Sequence, residues 1–104
     1  MDYSYLDQSH LDSILEIENE SNPFPWTEGN FKDCLDKGYY SLALEDKNKF
    51  IGFAIMAIST DESHLLNIGI NKNERGMGYG EKLLKKMIIA AEVMGSKKII
   101  LEVR

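Results

Sequence analysis

With 104 residues, 43% of them hydrophobic and 28% charged, the chain has the length of one small domain and is too apolar for a disordered segment. A formal net charge of -5 disfavours a nucleic-acid binder working through a broad basic face and fits a cationic partner such as an amine or a basic peptide. The single Cys34 excludes an internal disulfide and, with no ligand cluster around it, argues against a metal site. No apolar run approaches a membrane span and "MDYSYLDQSH" lacks a signal-peptide pattern, so a cytoplasmic setting without membrane contact is expected.

Tyr3 to Leu6 predicts a short first strand. Asp7 then caps a helix with Leu11, Ile14 and Leu15 on its apolar face, which closes before Asn22 and Pro23, and "NPFPW" breaks the chain sharply. Thr27 is the N-cap of a second helix carrying Phe31 and Leu35 at i and i+4, with Gly38 as its stop and Cys34 as a small core residue. "YYSLALEDKNKFIGFAIMAIS" holds two β-prone runs about Asp46 to Asn48, the pattern of an antiparallel hairpin. "HLLNIGI", residues 64–70, is a further strand in which Gly69 predicts a bulge or the close approach of another backbone. From Gly80 onward Leu83, Leu84, Met87, Ile88, Ala91 and Met94 share one helical face, and Gly95 follows where a helix C-terminus favours glycine. "KKIILEV" reads as a buried strand. The last three elements form a strand, helix, strand unit with a right-handed crossover, so an α/β domain with a mixed β-sheet and flanking helices is predicted.

The stretch "NERGMGYGEKLL" places Gly76, Gly78 and Gly80 just before that helix. A helix N-terminus offers unpaired N–H groups and a partial positive charge, and glycines let the backbone approach an anion, so the loop is a phosphate or pyrophosphate cradle with Arg75 as an added charge. A Walker A loop is rejected because Glu81 and Lys82 follow Gly80. A dinucleotide fingerprint draws support from Glu102, about twenty residues on, but the spacing is GxGxG and "NKNER" separates the glycines from their strand. A simple flexible turn is the third reading.

"RGMGYG", Arg75 to Gly80, resembles the R/Q-x-x-G-x-G/A signature of the GNAT acetyltransferases, and "NPFPWTE", "LLNIGI" and "LEVR" are similar to stretches of those members that acetylate the N-terminal alanine of a ribosomal protein. The resemblance implies acetyl-CoA as co-substrate. The backbone of Ile68, Gly69 and Ile70 would hold its pantetheine arm, and Arg75, Gly76, Met77, Gly78, Tyr79, Gly80 and Glu81 its pyrophosphate. Glu81 departs from what an anion site favours, since its carboxylate suits the helix dipole and not a bound phosphate. Glu102 matches the general base of the family. Phe24 and Trp26 are read two ways, as a wall for the acceptor peptide or as plugs in the core.

The resemblance runs from near the N-terminus to Arg104 and stops there. The family continues with a cofactor-binding Asn, a helix carrying a tyrosine acid and two more strands, so residues 1–104 are expected to be a GNAT domain that is C-terminally truncated, with no general acid assigned among its own tyrosines. A sheet ending on the apolar strand 97–103 would invite self-association through strand pairing. The function implied is acetyl-CoA-dependent N-acetylation of a ribosomal protein N-terminus. The alternative is an acetyl-CoA-binding or interaction module without turnover. His10 and His64 have no partner at ligand spacing in the sequence, and Lys82, Lys85 and Lys86 are assigned to a solvated helix face.

Overall fold

The computed structural model describes residues 1–101. Strand β1 (Asp2–Tyr5) leads through a 3-10 turn (Gln8–His10) into α1 (Leu11–Ser21), followed by α2 (Glu28–Asp36), β2 (Tyr40–Asp46), β3 (Lys49–Ala57) and β4 (Glu62–Ile70). A second 3-10 turn (Lys72–Glu74), α3 (Tyr79–Val93) and β5 (Lys98–Leu101) complete it. The five strands form one sheet in chain order, antiparallel throughout except for the parallel β4/β5 pair across the α3 crossover.

Local chemistry accounts for the element ends. Asp7 accepts from the Ser9 backbone N–H at 2.9 Å, while its own N–H donates to His10 Nδ1 at 3.1 Å, so the predicted cap serves the 3-10 turn that starts α1. Thr27 caps α2 in a reciprocal box, with the Asn30 N–H donating to Thr27 Oγ1 at 3.2 Å and the Thr27 N–H to Asn30 Oδ1 at 2.9 Å. Thr27→Ala is expected to lower stability by about 1 kcal/mol, read as a lower melting temperature, because it leaves that first-turn amide without its acceptor. The β2/β3 turn places Lys47 and Asn48 at φ of 50° and 67°, the twist that a two-residue hairpin requires. Gly38 and Gly95, at φ of 72° and 85°, stand just past α2 and α3, as the sequence predicts.

The sheet separates two apolar layers. On one face α1 and α2 bury Leu11, Ile14, Phe31 and Cys34 against Ala43, Phe53 and Ile55, with Phe31 edge-on to Phe53 at 5.8 Å between ring centroids. On the other, α3 buries Leu83, Met87 and Ala91 against Leu44, Ile51, Met56 and Leu65. Within the predicted faces the register differs slightly: Cys34 is buried where Leu35 is only half-buried, and Met94 is exposed beyond the end of α3.

Two expectations are corrected. The β3/β4 register skips Leu66, between the Ile55↔Asn67 and Met56↔Leu65 pairs, so the bulge lies at Leu66, and Gly69 sits in regular pairing with Phe53. Gly69 is small because a Cβ there would lie 2.8 Å from both Ile17 Cγ2 and Phe53 Cε1, so the close approach is by side chains and not by backbone. Strand β5 is also no buried strand: it lies at the end of the sheet order, Ile99 and Ile100 are half-buried, and Leu101 is 51% exposed.

Candidate active site

The site follows from the topology. In a sheet with parallel strands, ligands lodge outside the carboxyl ends of those strands, where the crossover helix begins. Here the β4/β5 ladder runs from Glu62↔Lys98 to Leu65↔Leu101, and the Leu66 bulge follows at once, while β4 continues to Ile70. A cavity of about 470 Å³ opens at that point, lined by Ile68, Gly69 and Ile70 of β4, Gly80, Glu81 and Leu84 of α3, and Ser21, Leu65, Arg75 and Leu101. Its floor is apolar and its rim carries the charged and hydroxyl groups.

The glycine loop is built for left-handed backbone. Gly76 and Gly78 adopt φ of 79° and 82°, which β-branched or bulky side chains resist, and a Cβ at either would meet nothing within 4 Å, so conformation and not space selects glycine. Gly78 is also the N-cap of α3. It has no side chain to offer, so the amides of Tyr79, Gly80 and Glu81 receive no side-chain cap, whereas Thr27 supplies one to α2. The first helical bond, from the Lys82 N–H to Gly78 O at 3.1 Å, leaves those preceding amides directed outward at the positive end of the helix dipole. Gly80 would place a Cβ 3.7 Å from Ile70 Cγ1, an ordinary contact, so neither space nor backbone conformation demands glycine there.

Arg75 is braced. Its Nε donates to Ile70 O at 3.1 Å and its Nη2 to Ser21 Oγ at 2.7 Å, tying the end of β4 to the end of α1 at the cavity wall. Behind the loop, the Asn71 N–H donates to Ile51 O at 2.8 Å, and the buried Glu74 is ion-paired to Lys49, whose pKa is raised chiefly by its hydrogen bond to that carboxylate. Glu81 is paired with Lys85 at 3.1 Å, which offsets its charge toward a bound anion. Lys82 lies over the Tyr79 ring and Lys86 over the Tyr3 ring, at 5.8 Å and 4.8 Å from the centroids. These lysines keep to the outer helix face.

The structure brings Ile68, Gly69, Ile70, Arg75, Gly80 and Glu81 into one cavity wall, and Gly76, Met77 and Gly78 into the loop leading to it, with Tyr79 as the first residue of α3. Met77 is 59% exposed. Trp26 and Phe24 part company: Trp26 is half-buried against Phe31 at 5.1 Å between centroids, while Phe24 is 79% exposed. Glu102, which follows Leu101 in the chain, lies outside the described residues.

Sequence reasoning missed Ser21, Leu65, Leu84 and Leu101 at the cavity, and with them a buried carboxylate, Glu18, which is hydrogen-bonded to the "NPFPW" segment. The last had a signal, since position 18 falls on the same helical stripe as Leu11 and Ile14, where an apolar residue is expected. Cys34 is buried and its thiol pKa is pushed up, by burial first and by Asp33 second, which makes it a poor nucleophile. His10 lies 3.4 Å from Asp7 and 3.6 Å from Glu45, and His64 2.8 Å from Glu62; neither histidine is among the cavity's lining residues. No group of His, Cys, Asp or Glu among the described residues has the arrangement of a metal site, and none of their helices is long and apolar enough to cross a membrane. A larger cavity of about 640 Å³ at the far end of α3, between Tyr39, Tyr40, Ile58, Val93 and Met94, contains none of the loop chemistry.

Strand bulge, glycine loop and crossover helix together define an acetyltransferase fold: residues 11–104 match the acetyltransferase (GNAT) family, and the chain belongs to it. It is 35% identical over 101 residues to the [ribosomal protein bS18]-alanine N-acetyltransferase of Haemophilus influenzae, covering 97% of this chain and 69% of that protein. The Escherichia coli K12 protein of the same name is 32% identical over 101 residues, with 97% and 68% covered. The E. coli ribosomal-protein-S18-alanine N-acetyltransferase crystal structure superposes with a TM-score of 0.88 at 31% identity, covering 99% of this chain and 66% of that one. Ard1 from Thermoplasma volcanium, at 18% identity and a TM-score of 0.90, shares the fold. The chain thus spans about two thirds of the length of these relatives.

Proposed function

We propose that this N-acetyltransferase takes its acetyl group from acetyl-CoA and delivers it to the N-terminal amine of a protein, with an alanine-type N-terminus of a ribosomal protein as acceptor. The observation that carries the reading is the uncapped start of α3, preceded by Gly76 and Gly78 in left-handed backbone and facing the apolar cavity along Ile68 to Ile70. Outward amides at a helix N-terminus suit a pyrophosphate, and an apolar slot beside a strand suits a pantetheine arm. The acceptor is taken from the relatives, which are [ribosomal protein bS18]-alanine N-acetyltransferases.

In the transfer, the amine nitrogen attacks the thioester carbonyl, a C–N bond forms and the C–S bond breaks, and coenzyme A leaves as a thiolate that takes up a proton. An α-amino group with a pKa of about 7.7–8.0 is largely protonated near neutrality and must lose its proton before attack. Glu102 is assigned as the carboxylate that receives it, directly or through water. A backbone N–H near Ile70 is assigned to the developing oxyanion. Phe24 contributes to the acceptor wall, and Trp26 supports it from the core side.

Acetyl-CoA at about one hundred times its Kd should stabilise the protein by about 2.7 kcal/mol, read as a rise in melting temperature. Mass spectrometry should find one added acetyl group on a peptide bearing the bS18 N-terminus. Binding without transfer would make the chain a cofactor-binding module. Stabilisation by NAD and none by acetyl-CoA would overturn the proposal.

A further inference from the structure

Glu18 is a carboxylate where the pattern of α1 asks for an apolar side chain, one turn from Ile14 and two from Leu11, and only 3% of its surface is exposed. Burial of a charge at this depth is unfavourable unless donors meet it, and here both oxygens are met. Oε1 accepts from Asn67 Nδ2 at 3.1 Å; Oε2 accepts from the Trp26 backbone N–H at 2.9 Å and from Asn22 Nδ2 at 3.2 Å. The donors come from two places. Asn67 belongs to β4, while Asn22 and Trp26 are the two ends of the "NPFPW" segment.

Asn67 reaches α1 because of the bulge. Leu66 packs with the α1/α2 layer, and Leu65 and Ile68 pack with the α3 layer, so the bulge puts two successive side chains, Leu66 and Asn67, on the α1 side. The carboxylate therefore clips both ends of segment 22–26 to the strand that floors the cavity. That segment leaves α1 directly after Ser21, which lines the cavity, and Asn67 directly precedes Ile68, which also lines it. Exposed Phe24 sits at the middle of the clipped segment, its N–H held by Asn22 Oδ1 at 3.0 Å.

We propose that Glu18 is a positioning residue: it holds segment 22–26 at the cavity rim in the arrangement that receives the acceptor peptide, and so sets affinity for the acceptor and not for acetyl-CoA. The inference rests on the transferase reading above. Glu18 does not touch the reacting atoms, since both of its oxygens are already engaged by the segment and the strand. A carboxylate that served folding alone would weaken both substrates together when disturbed.

The test is a swap of the two partners. Asn67→Asp sets one buried carboxylate against another and breaks the clip. Adding Glu18→Gln rebuilds it, because the new amide donates to the new carboxylate at position 67 while its oxygen still accepts from Trp26 and Asn22. Asn67→Asp should raise the KM for the bS18 N-terminal peptide about tenfold and leave the Kd for acetyl-CoA within about twofold, and the double variant should recover to within about threefold of the original. Trp26 is the only tryptophan of the chain, so acrylamide quenching of its fluorescence should rise in Asn67→Asp and return in the double variant.

An unchanged KM and unchanged quenching in Asn67→Asp, or a parallel loss of acetyl-CoA affinity, would overturn the proposal. So would a double variant that fails to recover, which also covers the case in which Asn67→Asp alone does not fold. Absence of transfer by the unsubstituted protein would overturn the transferase reading and the acceptor role with it, whereas unchanged quenching overturns the clip alone.

Discussion

Gly78→Val is expected to weaken acetyl-CoA binding by at least about tenfold while lowering the melting temperature by only a few degrees, both readable in one thermal-shift titration. Gly78 holds φ of 82° and ψ of 9°, a region in which an ordinary side chain costs about 1–2 kcal/mol and a β-branched one more. No atom lies within 4 Å of where its Cβ would stand, so the penalty is conformational and is relieved by moving the loop. Moving it carries the amides of Tyr79, Gly80 and Glu81 away from the cavity, which is where the ligand would feel the change. Gly78→Asn provides the contrast, since asparagine tolerates left-handed backbone, and should retain most of the affinity. Equal binding by the valine variant would show that the loop geometry does not hold the cofactor.

Gly52→Ala is expected to be the more damaging change for stability. A Cβ at position 52 would lie 2.6 Å from Gly69 O and 2.6 Å from Ile70 Cδ1, and the first of these is backbone that cannot swing aside. Strands β3 and β4 would have to separate at the Gly52↔Ile70 end of their ladder, costing about 3 kcal/mol and lowering the melting temperature by more than about 10 °C. Because Gly69 and Ile70 also line the cavity, acetyl-CoA binding should fall with it. Gly69→Ala meets the side chains of Ile17 and Phe53 at 2.8 Å, which have some freedom to repack, so its effect on melting should be smaller. A Gly52→Ala protein that melts like the original would show that the two strands are not locked at this spacing.

These positions show which parts of the molecule can be read from its residues. Helix α3 is legible because Leu83, Met87 and Ala91 repeat at helical spacing over about two turns and Gly95 closes the helix. The hairpin is legible because two β-prone runs flank a turn in which Asn48 accepts positive φ. The loop at Gly76 and Gly78 announces itself by composition, and the signature around it adds the family. The bulge at Leu66 leaves no such mark: an inserted residue shifts the two-residue alternation by one, and "HLLNIGI" is apolar on both faces, so the shift cannot be seen. Gly69 drew the eye instead because glycine is conspicuous, although its role is to make room for Ile17 and Phe53.

The Glu18 clip was hidden for a related reason. A polar residue on an apolar stripe is visible, but its partners are far apart in the chain, with Asn67 separated from it by 49 positions. Only the fold says which residues meet. Likewise the different fates of Phe24 and Trp26 depend on Phe31 lying under the indole, a contact between α2 and the preceding segment that periodicity does not encode.

The order β1-β2-β3-β4-β5 has a consequence for how the molecule forms. Each strand pairs with the strand before it, so the β2, β3 and β4 meander closes through short loops, and only β1/β2 and β4/β5 wait for helices between them. Contacts of short sequence separation form early and lose little loop entropy. A chain leaving the ribosome can therefore lay down its sheet from one side to the other, each new strand docking on an edge that already exists. The cavity beside the glycine loop, which needs β4 and the start of α3, is among the last features to close.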